Sequence, residues 1–148
     1  MKASFSVIGR EGSAEDGDGF IARLWKEADA YFNEVKALAK KDEDGRLAGV
    51  WGAMSDFSRS FLPWEDDFSR GLYLAGVEVA DGLPAPEGWV KWTIPAQEYV
   101  YMEDEGPDTF RTTLGYLQNE GLLLAGAVHD YTCPETGKHD MFFPVRQL

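Results

Sequence analysis

The sequence predicts an α+β fold made of two βαββ units, in which one mostly antiparallel sheet carries two helices on one face and a ligand groove on the other. Three observations support this. Two segments have apolar residues at helical spacing, short β-like runs around them give strand, helix, strand, strand in each half, and turn residues separate the runs. We treat residues 1–148 as one domain with halves of roughly 1–80 and 89–148.

The first half opens with a strand over 4–10, where apolar residues alternate with serines. A loop rich in glycine and acidic residues follows. Asp18, at its end, is placed to cap a helix over 20–38, whose apolar stripe has the 3.6-residue period. A charged turn at 41–46 ends this part of the chain.

Two further strands complete the first half, and a long segment separates them. The strand over 47–54 contains two glycines, which often mark a close approach of backbone or ligand. The strand over 71–79 mixes aliphatic residues with Tyr73 and one acid, Glu78. Residues 55–70 carry four rings among polar residues, so this segment is either a flap over a cavity or a loop that packs its rings on the core.

The second half follows a loop rich in proline and glycine. A strand over 97–103 opens it, Asp108 is predicted to cap the next helix, and Gly121 is predicted to end that helix. The half closes with strands over 122–131 and 140–145, joined by a turn around Pro134.

Composition excludes several classes of protein. A formal net charge of −12 argues against direct nucleic-acid binding, which needs a basic surface. One cysteine, Cys133, rules out an internal disulfide and suits a reducing compartment. No apolar run is long enough for a signal peptide or a membrane span, so we expect a cytoplasmic protein without a membrane partner. Without phosphate-loop, zinc-ligand or nucleophile-elbow motifs, no cofactor or metal is expected.

Aromatic residues are abundant, at 14% of the chain, and in the stretch from residue 71 to 103 four of them, Trp89, Trp92, Tyr99 and Tyr101, lie within thirteen residues. Alternation in 97–103 places two tyrosines on one strand face. A carboxylate such as Glu78 is costly to bury among rings unless it has a role. This stretch is therefore predicted to form the wall of a pocket for an aromatic, cationic small molecule.

Several pieces of the sequence resemble one family. They are VIGREG at 7–12, LW at 24–25, VWGAMSDF at 50–57, GLYLAGVEV at 71–79, EGWVKWTIPAQEYVY at 87–101, GAVHDY at 126–131 and MFFPV at 141–145. In this order they are similar to the GyrI-like effector-binding domains. That family includes the C-terminal sensing domains of some MerR-type and AraC-type transcription regulators, free-standing binding proteins and the gyrase-inhibitory protein.

The resemblance implies the duplicated βαββ fold and a pocket between the halves, lined by aromatic residues around an acidic one. It also implies affinity for bulky, often cationic, aromatic compounds. In many relatives an acidic residue precedes the tyrosine of the fifth strand by one or two positions. Here those positions hold His129 and Asp130, and strand alternation puts His129 on the face of Tyr131 and Asp130 on the opposite face. Which of the two faces is inward stays open at this point.

Glu78 is the first candidate for the pocket anion because its strand is otherwise apolar or aromatic, and Asp130 is the competing candidate. Trp92 is predicted to lie at a pocket rim. The full set of candidate ligand-binding residues is Trp51, Phe57, Trp64, Tyr73, Glu78, Trp92, Tyr101, His129, Asp130, Tyr131 and Phe143.

The leading functional hypothesis is a multidrug or effector-binding protein that senses or sequesters its ligand, either fused to a DNA-binding domain or associated with one. The alternative from another class is a hydrolase that opens cyclopropane-bearing electrophilic natural products, using Glu78 or Asp130 with a tyrosine hydroxyl. A third hypothesis is an acidic inhibitor of a DNA-binding enzyme such as gyrase.

Overall fold

The computed structural model describes residues 2–41, 43–133 and 136–148. Its elements, in chain order, are β1 (Phe5–Ser13), α1 (Phe20–Ala30), β2 (Val50–Ser55), α2 (Glu65–Phe68), β3 (Leu72–Val79), β4 (Val90–Ile94), β5 (Gln97–Glu103), α3 (Thr109–Asn119), β6 (His129–Thr132) and β7 (His139–Gln147). These strands form one antiparallel sheet in the order β4-β1-β3-β2-β6-β7-β5.

The sheet order reveals the duplication. The first unit contributes β1-β3-β2 and the second contributes β6-β7-β5, so the two triplets are mirrored about the pairing of β2 with β6. At this junction Gly52 lies opposite Asp130. The remaining strand, β4, is added beside β1 at one edge. The predicted α+β architecture of two βαββ units is confirmed.

The two faces of the sheet have different coverings. On one face, which we call the helix face, α1 packs through Phe20 and Ala28 on residues of β1 and β3, and α3 packs through Leu117 on Met141 and Phe143 of β7. Both helices therefore lie on the same face, as predicted. On the opposite face, the far face, a second apolar cluster is built from Phe5, Val7, Trp51, Ala53, Leu72, Leu74, Trp92 and Ile94.

The first helix differs from its prediction at both ends. Gly19, with a φ of 76°, occupies the N-cap position, and no side chain caps the helix, so the predicted Asp18 cap is wrong. Gly19 can adopt this left-handed conformation at little cost because it has no Cβ. Helix α1 ends at Ala30, and a 3₁₀ turn over Phe32–Glu34 carries the chain onward. Val35 still packs in the core, which is why the apolar stripe extends past the helix end.

The second half also departs from prediction in three places. The run 90–94 forms a strand, because its backbone pairs with β1. The strand predicted over 122–131 is reduced to β6, since the amides of Ala125 and Ala127 donate to the carbonyls of Pro144 and Phe61 instead of to a ladder. Asp108 occupies the N-cap position of α3 without a side-chain capping hydrogen bond.

Two residues of predicted turns, Asp42 and Pro134, lie outside the described residues. Within the described part of the chain, no helix is long and apolar enough to cross a membrane. Those same residues include no cluster of three or more histidine, cysteine or acidic side chains arranged to hold a metal ion.

Candidate functional site

A recess opens on the helix face, where the two βαββ units meet. It consists of two adjoining cavities of about 270 and 420 Å³, which share Asp104 and Asp130. The first cavity is lined by Met54, Pro63, Trp64, Phe68, Asp104, Phe110, Val128, Asp130 and Met141. The second is lined by Ile21, Trp25, Asp29, Val50, Tyr73, Asp104, Asp130, Thr132 and His139. We call this double cavity the helix-face recess; the sequence led us to expect a groove on the far face.

Asp130 lies at the centre of the helix-face recess because β6 pairs with β2 at the junction of the units. Its carboxylate makes no hydrogen bond or ion pair with any other described residue. Burial, followed by the nearby charge of Asp104, raises the pKa of Asp130 to about 7. The group therefore exchanges its proton near neutral pH, and a cation entering the recess would favour the charged form.

Gly52 and Tyr73 determine the space next to the carboxyl group of Asp130. A Cβ at position 52 would lie 2.0 Å from the Tyr73 hydroxyl and 3.3 Å from Asp130 Oδ2. The glycine thus makes room for the tyrosine, whose hydroxyl accepts a hydrogen bond of 3.0 Å from the indole Nε1 of Trp25. Burial, with a further contribution from the charge of Asp130, raises the pKa of Tyr73, so the hydroxyl stays protonated.

The second part of the segment 56–70, from Pro63 to Phe68, forms one wall of the recess. Buried Asp56 fixes the start of this segment, because its carboxylate accepts hydrogen bonds from the Ser60 and Leu62 amides at 2.9 and 3.3 Å and from the Ser58 hydroxyl. Burial raises the pKa of Asp56, but these hydrogen bonds outweigh it and leave the pKa below its ordinary value. Three residues of the segment line the recess: Pro63, Trp64 and Phe68.

Contacts between aromatic rings join this wall to the second unit. Phe68 meets the edge of Phe110 of α3, with centroids 5.1 Å apart. Arg111 lies over both rings from outside and is paired with Asp67 at 3.0 Å. Trp64 is held by a hydrogen bond of 2.9 Å from its Nε1 to the Leu72 carbonyl. The segment 56–70 therefore spans from one unit to the other beside the carboxyl of Asp130.

Glu78 occupies a different place, in a groove on the far face. This far-face groove, of about 470 Å³, is lined by Lys2, Lys40, Lys41, Ala48, Trp51, Glu78, Tyr131 and Phe142. The Glu78 carboxylate lies 3.5 Å from the Lys40 ammonium and 3.9 Å from that of Lys2, and it accepts a hydrogen bond of 3.1 Å from Trp51 Nε1. Its charge is already compensated, unlike that of Asp130.

His129 points to the far face and is fully buried. Its Nδ1 accepts a hydrogen bond of 3.1 Å from the Met54 amide, and burial lowers its pKa to about 3. The ring is therefore neutral at physiological pH. Of the two positions left open by the sequence, Asp130 is the one that brings an acidic group into a recess.

The other candidate residues are divided among several environments. Trp92 is buried in the far-face cluster and donates from Nε1 to Glu11 Oε1 at 2.8 Å, so the prediction of a rim position is wrong. The reason is that pairing of β4 with β1 sets Trp92 opposite Val7. Phe143 is buried under α3, Tyr101 is 66% exposed, and Phe57 packs against the far-face cluster.

The structure therefore brings together three predicted residues in the helix-face recess, Trp64, Tyr73 and Asp130, and three in the far-face groove, Trp51, Glu78 and Tyr131. Lining residues absent from the predicted set include Trp25, Asp29, Met54, Asp104, Phe68 and Phe110. Two signals were available for them: Phe68 is one of the four rings in 55–70, for which a flap over a cavity was one interpretation, and Trp25 is a large ring in the first predicted helix.

No family model matches this chain. The transcriptional regulator BrlR of Pseudomonas aeruginosa (strain PAO1) is 26% identical over 105 residues, which cover 71% of this chain and 33% of BrlR. The chain thus spans about a third of the length of this curated relative.

Three solved structures share the fold. A bacterial transcription regulation protein from Staphylococcus aureus MU50 has a TM-score of 0.62 and 15% identity, covering 98% of this chain and 94% of that one. The EcmrR C-terminal domain has a TM-score of 0.65 and 15% identity, with coverage of 99% and 94%. EcmrR in its complex with DNA has a TM-score of 0.64 and 13% identity, and the match covers 99% of this chain and 56% of the EcmrR chain.

Proposed function

We propose, from the premise that this chain is a GyrI-like domain in its fold, that it binds planar aromatic cations in the helix-face recess. One observation carries the proposal. Asp130 is an unpaired carboxyl group, among the described residues, at the centre of a recess lined mostly by rings and apolar side chains, and no lysine or arginine lines that recess. A cationic ligand would supply the missing partner.

Rings supply the rest of the affinity. Trp64, Phe68 and Phe110 present aromatic surface on one side of Asp130, and Trp25 and Tyr73 present it on the other. A cation over such a face gains about 0.5–2 kcal/mol beyond the apolar area that it buries. The combined size of the two cavities falls in the range that accommodates drug-sized ligands.

The lining also suits ligands of different shapes. Met54 and Met141 border the first cavity, and methionine side chains adjust to irregular partners because they are unbranched and polarisable. We therefore expect the recess to accept several aromatic cations instead of one, which is the behaviour of a multidrug-binding protein.

We further propose that the domain is the ligand-sensing part of a transcription regulator, in the same chain as a DNA-binding domain or in association with one. In support, the chain is similar to about a third of the regulator BrlR and to the C-terminal domain of EcmrR, a protein seen in complex with DNA. With a net charge of −12, the domain itself is poorly suited to contact DNA.

The test compares two ligands of the same shape. At pH 8, 10-methylacridinium carries a fixed positive charge and acridine is neutral, and binding of each is followed by quenching of tryptophan fluorescence. We expect 10-methylacridinium to bind with a dissociation constant on the order of micromolar and Asp130→Asn to weaken it about tenfold, the size of one charge-assisted contact, while acridine is little affected.

Glu78→Gln is the matched control, because it removes one carboxylate charge on the far face. We expect it to leave 10-methylacridinium binding unchanged. Saturable binding that survives Asp130→Asn but disappears in Glu78→Gln would move the cation site to the far-face groove. The absence of saturable binding by the folded protein would refute the proposed function.

A further inference from the structure

The far-face groove has a charge opposite to that of the protein as a whole. In a chain of net charge −12, the described residues that line this groove include three lysines and a single carboxylate. The helix-face recess has the reverse arrangement: within the described part of the chain its lining includes Asp29, Asp104 and Asp130 and no lysine or arginine. Two grooves on opposite faces of one sheet therefore differ in the sign of charge that they favour.

We propose that the far-face groove is a second ligand site, selective for planar aromatic anions such as aromatic carboxylates. It is independent of the cation site, because the sheet separates the two. The division is visible at consecutive residues of β6, where Asp130 lines the helix-face recess and Tyr131 lines the far-face groove.

Aromatic side chains form the floor of the groove. Trp51, Tyr131 and Phe142 form one cluster, in which the Trp51 ring centroid lies 5.0 Å from that of Tyr131 and 5.3 Å from that of Phe142, and the last two lie 6.2 Å apart. Tyr101 stacks on Phe142 at 5.6 Å with an angle of 22° between the planes, and its own outer surface is exposed. Trp51 is buried, so a flat ring would pack against the half-buried rings of Tyr131 and Phe142, where aromatic contacts would add to the area that it buries.

The ammonium groups are held in place beside this floor. Buried Glu78 draws Lys2 and Lys40 towards the groove at 3.9 and 3.5 Å, and the Lys2 ammonium lies 4.4 Å from the centre of the Phe5 ring. The backbone of Lys2 is fixed by two hydrogen bonds with Gln97. Lys41 donates to the carbonyls of Lys36 and Ala39 at 3.3 and 3.2 Å.

This arrangement favours an anion over a cation. Among the described lining residues Glu78 accounts for one of the three positive charges, and Asp140, opposite Tyr131 in the pairing of β6 with β7, adds one carboxylate nearby, so the lysines still leave an excess of positive charge at the groove. The Lys40 side chain is 55% exposed, so its ammonium can reach an incoming carboxylate without first being uncovered. An aromatic carboxylate with its anionic group near Lys40 and its ring over Tyr131 and Phe142 would use both the ammonium and the aromatic side chains.

The experiment uses 2-naphthoate and its neutral analogue 2-naphthamide, titrated into the isotope-labelled chain and followed by NMR of the indole N–H groups. We expect 2-naphthoate to shift the signal of Trp51, whose indole donates to Glu78, and to leave that of Trp64 in place. We expect 2-naphthamide to bind at least about fivefold more weakly, the effect of losing a charge-assisted contact at a partly exposed site.

Three variants complete the test. Lys40→Met should weaken 2-naphthoate binding about fivefold, whereas Lys26→Met, which removes the same charge from the exposed surface of α1, should leave it unchanged. Glu78→Gln should strengthen binding, because it frees the ammonium groups of Lys2 and Lys40. Equal losses in Lys40→Met and Lys26→Met, equal affinity for the amide, or a shift confined to Trp64 would each overturn the proposal.

The outcome is separate from that of the cation site. Because the two grooves lie on opposite faces, Lys40→Met should not change the affinity for 10-methylacridinium, and Asp130→Asn should not change that for 2-naphthoate. Failure of either titration therefore leaves the other interpretable.

Discussion

The protonation of Asp130 predicts a pH-dependent difference in stability between the protein and its Asp130→Asn variant. The pKa of this carboxyl is raised from 3.8 to about 7 in the folded protein, first by burial and then by Asp104. Between these two values the folded state keeps a proton that the unfolded chain has released. The tighter proton binding of Asp130 in the folded state therefore stabilises the protein fully at pH values below the pKa of the unfolded chain. This stabilisation is lost as pH rises towards 7.

The size of the effect follows from the shift. One pKa unit corresponds to about 1.4 kcal/mol, so the whole displacement is worth roughly 4 kcal/mol, of which roughly 3 kcal/mol falls between pH 5 and pH 8. The amide of Asp130→Asn stays neutral throughout. We expect the variant to gain about 3 kcal/mol in free energy of unfolding relative to the parent protein over this interval.

Urea denaturation followed by tryptophan fluorescence, at several pH values from 5 to 8, measures this difference directly. The other titratable groups lining the recess, Asp29, Tyr73, Asp104 and His139, are common to both proteins and cancel to first order. Asp18→Asn, at an exposed position before α1, is the control and should show no such trend.

A difference between Asp130→Asn and the parent that stays constant from pH 5 to pH 8 would refute the reasoning, because it would mean that the carboxyl titrates as an exposed group. The same linkage governs ligand binding. Since only the ionised carboxyl attracts a cation, affinity for 10-methylacridinium should rise about tenfold between pH 6 and pH 8.

Three further substitutions test the surroundings. Trp92→Ala should lower the free energy of unfolding, measured by urea denaturation, by about 3–5 kcal/mol, because it leaves a cavity in the far-face cluster. The affinity of each folded molecule for 10-methylacridinium should stay unchanged. A large loss of affinity in a stable variant would show that Trp92 lies at the pocket rim after all. Gly52→Ala should displace the Tyr73 ring, which would lower the free energy of unfolding by about 1–3 kcal/mol and weaken the binding of 10-methylacridinium. If stability and affinity were both unaltered, the close approach of Tyr73 to Gly52 would not exist. Asp56→Ala should loosen the wall at 56–70, which a rise in amide hydrogen exchange confined to that segment would report, and unchanged exchange would contradict this role.

Much of the fold could be read from the sequence because it depends on local periodicity. The alternation around Phe5 and the helical stripe from Phe20 each identify their element with only neighbouring residues in view. The order of elements in each half, strand, helix, strand, strand, then fixed the duplicated architecture. Alternation also predicted that His129 and Asp130 point to opposite faces. The two glycines of the predicted strand over 47–54 indicated a close approach, which the structure has at Gly52.

Other features depended on contacts between residues distant in the chain, which no local pattern encodes. The run 90–94 is a strand because β1 offers it a pairing edge, and 125–127 is not one because the carbonyls of Pro144 and Phe61 accept hydrogen bonds from its amides.

The choice between Glu78 and Asp130 as the pocket anion also depended on contacts between residues distant in the chain. The charge of Glu78 is compensated by Lys2 and Lys40, which lie far from it in sequence. Asp130 comes to lie unpaired between two units only because β2 and β6 meet at the centre of the sheet. The sequence determined which side chains share a strand face, whereas tertiary pairing decided which carboxylate was left without a partner, since a charge is neutralised by whatever folding brings within a few ångströms of it.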